Sequence, residues 1–109
     1  MTIIGIDPGF ATTGYGVVSY AGNKFCILEY GVIKTLPSKE FPARLLEIHY
    51  ELDTLISKWK PEAMAVEELF FGANVKTGIK VGHARGVIML SAALAAIPVF
   101  EYTPLQVKL

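Results

Sequence analysis

The sequence is poor in cysteine and in charge. Its one cysteine, Cys26, has no partner within the chain, which excludes a disulfide-stapled scaffold and points to a reducing cytoplasm. Charged residues make up 18% of the 109 positions. Ordinary globular domains carry roughly 25%, so a disordered segment or a solvated coiled coil is a poor fit. No basic stretch followed by an apolar run comes after Met1, so no signal peptide is read there. The most apolar stretch, 86–100, falls short of the ~18–20 residues of a membrane span, and Pro98 interrupts it. No Gly-Lys-Ser or Gly-Lys-Thr follows a strand pattern, which excludes a P-loop. What is left is one soluble, core-rich domain, 52% hydrophobic, with no internal repeat or linker.

The pattern along the chain predicts an α/β order. Residues 2–6 form a short apolar run ending in Asp7-Pro8-Gly9, a turn signature. Residues 14–20 and 25–34 are rich in β-branched and aromatic side chains and are separated by Ala21-Gly22-Asn23-Lys24, the pattern of a β-hairpin. Leu45, Ile48, Leu52, Leu55, Ile56 and Trp59 then recur at spacings of three and four, an amphipathic helix stopped by Pro61. A strand at 63–66, a helix over about 75–96 and a strand at 98–102 complete β-β-β-α-β-α-β. This order predicts a mixed five-stranded sheet flanked by helices. Pro104 suits the first turn of a further helix, and the chain ends five residues later. The expectation is a domain whose final helix is missing.

Two carboxylates carry the clearest chemistry. Asp7 and Glu67 each follow an apolar strand directly, and functional groups gather outside the C-terminal ends of such strands. If those strands are parallel neighbours, the pair faces one site and suits a hard divalent cation. Otherwise Asp7 is a turn cap and Glu67 a solvated charge. The glycines of 5–16 allow a second reading, a phosphate-binding hairpin like that of actin-like and sugar-kinase ATPases.

The zero net charge hides an asymmetry. Residues 1–69 carry −3 and residues 70–109 carry +3, with no acid between 70 and 100. Lys76, Lys80 and Arg85 in that stretch suit a polyanion backbone or, equally, a solvated helix face. Phe70 and Phe71 sit in a predicted loop where an aromatic is able to stack on a base, although core is the default for such a pair. Gly78, Gly82 and Gly86 recur every fourth residue, each disfavoured by about 1 kcal/mol in a helix, so close packing against that face is expected. His49 and His83 read as structural, and Cys26 as a small buried hydrophobe.

Taken together, Ile4-Gly5-Ile6-Asp7-Pro8-Gly9, Thr13-Gly14-Tyr15-Gly16, Val66-Glu67 with Phe70, Lys80-Val81-Gly82-His83-Ala84-Arg85-Gly86, Val99-Phe100-Glu101-Tyr102 and Gln106-Val107-Lys108 resemble the RuvC-type Holliday-junction resolvases. The resemblance covers the whole chain, in order. It implies a ribonuclease-H-like fold and a homodimer that nicks a four-way DNA junction symmetrically, using four carboxylates and Mg²⁺, with Mn²⁺ able to substitute. By the same resemblance Asp7 and Glu67 are catalytic metal ligands, Asp7 bridging two ions. Phe70 stacks on bases, while Lys80, Arg85 and Lys108 match DNA-binding positions; Lys76, from the charge pattern, is expected to contact phosphates beside them. Gly78, Gly82 and Gly86 lie in the dimer interface, and a branch-migration motor is a further partner. The remaining two acidic ligands are expected beyond Leu109, which leaves this chain inactive. A non-catalytic junction-binding module is the other alternative.

Overall fold

A computed structural model of the protein describes residues 1–68 and 75–102. The elements are β1 (Thr2–Asp7), β2 (Thr12–Ala21), β3 (Lys24–Lys34), α1 (Phe41–Trp59), β4 (Ala63–Glu67), α2 (Val75–Leu94) and β5 (Val99–Tyr102). They make one five-stranded sheet in the order β3-β2-β1-β4-β5. The predicted order and the mixed sheet are both present. β1, β2 and β3 pair antiparallel, whereas β4 runs parallel to β1 and to β5.

Local chemistry fixes the ends of these elements. Gly22 and Asn23 both have positive φ, +57° and +64°, so the hairpin closes through a two-residue turn matched to strand twist. α1 ends on Lys60 in the left-handed region, its N–H donating to the Ile56 carbonyl, and Pro61 prevents continuation. α2 ends two residues before the expected 96. Ala96 turns left-handed, and the Ile97 N–H then closes onto the Ala92 carbonyl at 2.9 Å.

Both helices lie on one face of the sheet. Ile4, Ile6, Val17, Ile33, Met64 and Val66 point to that face and meet Ile48, Leu52 and Leu55 of α1 and Ala84, Ile88 and Ala92 of α2. Each fully buried isoleucine or leucine there contributes about 1.5–3 kcal/mol relative to exposure. The opposite face follows from the register: Ile3, Gly5 and Asp7 of β1 align with Val18, Gly16 and Gly14 of β2. No described helix covers it, and Phe25, Ile27, Tyr30, Val32 and Phe100 are exposed there. A second uncovered apolar stripe runs along the outer side of the helices, with Leu46 and Tyr50 on α1 and Ile79, Leu90 and Leu94 on α2. These two surfaces are where the high hydrophobic content goes. Among the described residues, no helix is long and apolar enough to cross a membrane.

Cys26 departs from expectation. It is exposed rather than buried, because β3 is the edge strand and its first residues extend past the helices. Further along β3, Glu29 ties the edge to α1. It accepts from the Trp59 indole at 2.9 Å, the Tyr15 hydroxyl at 2.8 Å and the Lys58 ammonium at 3.1 Å. These donors hold its carboxyl down to about 2 from the usual 4.5, the indole contributing most. A depressed carboxyl stabilises the fold above its unfolded value, and that stability disappears as pH falls from about 4.5 toward 2. Glu29→Gln is therefore expected to lower Tm at pH 7 and to flatten the Tm-versus-pH curve over that window, as read by circular dichroism melts.

Candidate metal centre at the strand ends

β1 and β4 are parallel neighbours in the register Ile3↔Ala63 through Ile6↔Val66, so both strands end together. Asp7 closes the first and Glu67 the second, on the same uncovered face. The two carboxyl groups are close enough for Asp7 to shift the titration of Glu67. Partial burial, hydrogen bonding with Asp7 and the Asp7 charge all raise the Glu67 pKa above the usual 4.5, burial contributing most. Two carboxylates held this close repel when both ionise, and a divalent cation with oxygen preference relieves the repulsion. The pair fits such an ion. Among the described residues, no third metal-ligating side chain joins it.

A third group completes the site. Glu67 pairs across the sheet with Tyr102, which closes β5, and the Glu68 N–H donates to the Tyr102 carbonyl at 2.7 Å. Burial first, then the charges of Glu67 and Asp7, push the Tyr102 hydroxyl above the usual 10.0. Sequence reasoning gave Tyr102 no role. The signal was present, since it ends a strand parallel to β4 just as Glu67 ends β4. From this corner an open groove of about 460 Å³ runs along the uncovered face, floored by Gly5, Gly14, Gly16 and Ala65.

The turn after Asp7 is tightly held. Thr13 donates its hydroxyl to the Gly9 carbonyl at 2.8 Å and accepts from the Gly9 N–H at 3.3 Å. A Cβ on Gly9 would stand 1.8 Å from the Thr12 carbonyl oxygen, so only glycine fits. The hairpin glycines thus serve a tight turn and a groove floor.

The basic residues divide. Lys76 and Lys80 are exposed on α2, the Lys80 ammonium 5.4 Å from the centre of the Phe10 ring. Arg85 points inward instead. It pairs with Glu101 of β5 at 2.9 Å and donates to the Met89 sulfur at 3.2 Å, so its charge is balanced within the chain. Phe70 and Lys108 lie outside the described residues. Gly78 and Gly82 are half-buried and Gly86 is exposed, with no described residue within 4 Å of a Cβ built on it. His49 donates from Nδ1 to the Ser91 hydroxyl at 2.8 Å, because that hydroxyl already donates to the Val87 carbonyl. His83 stacks edge-on against Phe41, so both histidines have the structural contacts expected of them.

The sequence profile of the family described as "Crossover junction endodeoxyribonuclease RuvC" matches residues 3–109. A relative of that name from Ruminiclostridium cellulolyticum is 58% identical over 108 residues, which are 99% of this chain and 65% of that protein. One from Alkaliphilus metalliredigens is 55% identical over 99% of this chain and 66% of its own length. The chain therefore spans about two thirds of the length of these curated relatives. Among solved structures, Thermus thermophilus RuvC in complex with Holliday junction substrate superposes with a TM-score of 0.92 at 38% identity, covering 99% of this chain and 69% of that one. A PPX-GPPA enzyme of Aquifex aeolicus superposes at 0.55 with 15% identity over 97% of this chain and 37% of that one, a likeness of fold alone.

Proposed function

The chain belongs to the RuvC family of crossover junction endodeoxyribonucleases, and from that premise we propose that the protein resolves four-way DNA junctions by metal-dependent cleavage. The observation that carries this reading is the Asp7–Glu67 pair, two carboxylates brought together at the ends of two parallel strands. Mg²⁺, with Mn²⁺ as substitute, is the ion such oxygen ligands suit. When bound, it lowers the pKa of a water nucleophile and stabilises charge on the leaving oxygen. Asp7 and Glu67 supply its negative ligands. The raised Tyr102 hydroxyl stays neutral and able to donate beside them.

Lys76 and Lys80 supply exposed positive charge on α2 for phosphates, whereas Arg85 latches α2 to β5. For Phe70 as a base-stacking residue and Lys108 as a phosphate contact, the support is the family resemblance. The same holds for a cytoplasmic site of action and for a branch-migration motor as partner. Equal cleavage of a four-way junction and a linear duplex of the same sequence, in the presence of Mg²⁺, would overturn the structure-selective reading. Cleavage confined to the junction supports it.

A homodimer is proposed through the outer face of α2. Ile79, Gly86, Leu90 and Leu94 recur along one stripe, and among the described residues nothing explains a glycine at 86. Leu46 and Tyr50 of α1 extend the apolar surface. Gly86→Arg is expected to leave Tm within a few degrees and to shift sedimentation from dimer to monomer. Unchanged dimerisation removes α2 as the interface.

A further inference from the structure

We propose that Arg44 is a positioning residue for Asp7, acting through Thr35 on the turn between β1 and β2. The inference rests on the reading of Asp7 as a metal ligand.

Arg44 is in an unfavourable place for a cation. It lies in the first turn of α1, at the positive end of the helix dipole, and that turn contains no acid. It is buried, with 8% of its surface exposed. The ion pairs among the described residues are Lys39–Glu47, Lys58–Glu29 and Arg85–Glu101, and Arg44 belongs to none. An apolar side chain of similar length would fill the site at lower electrostatic cost. Something other than packing therefore accounts for the guanidinium.

Its contacts identify that role. Nε donates to the Thr35 hydroxyl at 2.9 Å and Nη2 to the Thr35 carbonyl at 3.3 Å, while the guanidinium stacks 3.9 Å from the centre of the Phe10 ring. With its oxygen accepting from Nε, the Thr35 hydroxyl directs its hydrogen to the Phe10 carbonyl, 2.9 Å away. The Thr35 N–H donates to the next carbonyl, that of Ala11, at 3.0 Å. Two consecutive carbonyls of the turn that starts at Asp7 are thus held from outside by one residue, itself oriented by Arg44. From inside, Thr13 holds Gly9. Phe10 is also packed against Phe41, 4.9 Å between ring centres, so the turn is docked onto the first turn of α1. Asp7 leaves β1 directly into this clamp, which limits the positions its carboxylate adopts relative to Glu67.

The test uses the full-length protein and two readouts besides cleavage, Tm and Mn²⁺ affinity by calorimetric titration. Arg44→Met keeps the packing and removes the donors. It is expected to melt within about 5 °C of the parent, consistent with loss of an unpaired buried charge. Mn²⁺ affinity is expected to fall roughly 10–100-fold, the usual scale for groups that orient a ligand, and kcat for junction cleavage to fall with it at unchanged KM. Thr35→Val should reproduce the pattern and Thr35→Ser, which retains the hydroxyl, should restore parental values. If Tm falls in step with Mn²⁺ affinity, or Arg44→Met binds Mn²⁺ normally, the positioning role is overturned. An Asp7→Asn protein that binds Mn²⁺ and cleaves normally instead overturns the underlying assignment of Asp7, so the two failures are distinguishable.

Discussion

Asp7→Asn in the full-length protein is expected to reduce metal-dependent junction cleavage at least a hundredfold while changing junction affinity by less than about threefold. Groups that merely orient a metal ligand carry 10–100-fold effects, so direct loss of a ligand charge belongs at or above the top of that range. Asparagine is nearly isosteric, and the neighbouring wall is undemanding. A Cβ at Gly14 would be 3.6 Å from the Asp7 Cβ, an ordinary contact. The exposed lysines of α2, Lys76 and Lys80, are untouched by the substitution. A second consequence separates this from a folding defect. Without metal, burial, the Asp7 bond and the Asp7 charge raise the Glu67 pKa, so the native state favours the protonated form. That preference stabilises the fold at low pH and is lost as pH rises through the raised value. At pH 7 in EDTA the ionised pair opposes folding. Asp7→Asn should therefore melt higher than the parent in EDTA at pH 7, with the advantage shrinking on acidification into the carboxylate range. Adding Mg²⁺ should raise the parent Tm and leave the variant where it was. Normal cleavage by the variant, or a lower Tm in EDTA, would sink the metal-ligand assignment.

Much of this site was legible in the sequence because strand ends are legible. A short apolar run closed by an acid, Asp7 after the first and Glu67 after the second, places two carboxylates at the C-terminal edge of a sheet once the strands are parallel. The order β-β-β-α-β-α-β makes that arrangement the natural one. Layering was less accessible. Alternation along β1 and β2 says which side chains share a face, but not that both helices choose the Ile4 and Ile6 side and leave Gly5, Gly16 and Val18 uncovered. Cys26 was misread for the same reason, since inward parity on an edge strand guarantees no cover. Arg85 shows the limit of counting charge along a segment. The acid-free stretch in which it lies ends at Phe100, and the first acid beyond, Glu101, is brought to it by the register of β5 with β4. Arg44 gave no signal at all. A basic residue in the first turn of an amphipathic helix reads as solvated until its burial is known.

Gly9→Ala is expected to be the most destabilising conservative change in the first hairpin, costing roughly 2–3 kcal/mol and about 10–20 °C in Tm. The reason is steric rather than torsional. An added Cβ would stand 1.8 Å from the Thr12 carbonyl oxygen and 2.9 Å from its carbon, both backbone atoms. Neither end of the turn is free to yield. Thr12 is already paired with Lys34 in the β2–β3 ladder, and Gly9 is bonded through both its N–H and its carbonyl to Thr13. Relieving the overlap therefore requires breaking a bond at one end or moving the strand at the other. Gly16, seven residues on in the same hairpin, supplies the control. A Cβ there meets none of the described residues within 4 Å, and alanine in a strand interior loses less conformational entropy on folding than glycine. In this chain Gly16→Ala should melt within a few degrees of the parent or slightly above it. Sequence composition treats the two glycines alike, so the contrast between their melts isolates the turn that carries Asp7. Two equal, small shifts would mean that the turn rearranges at little cost and that Asp7 is not rigidly placed. A large loss at Gly9 alone ties the position of the carboxylate to one backbone contact, because the segment that must move to admit the methyl group is the one that begins at Asp7.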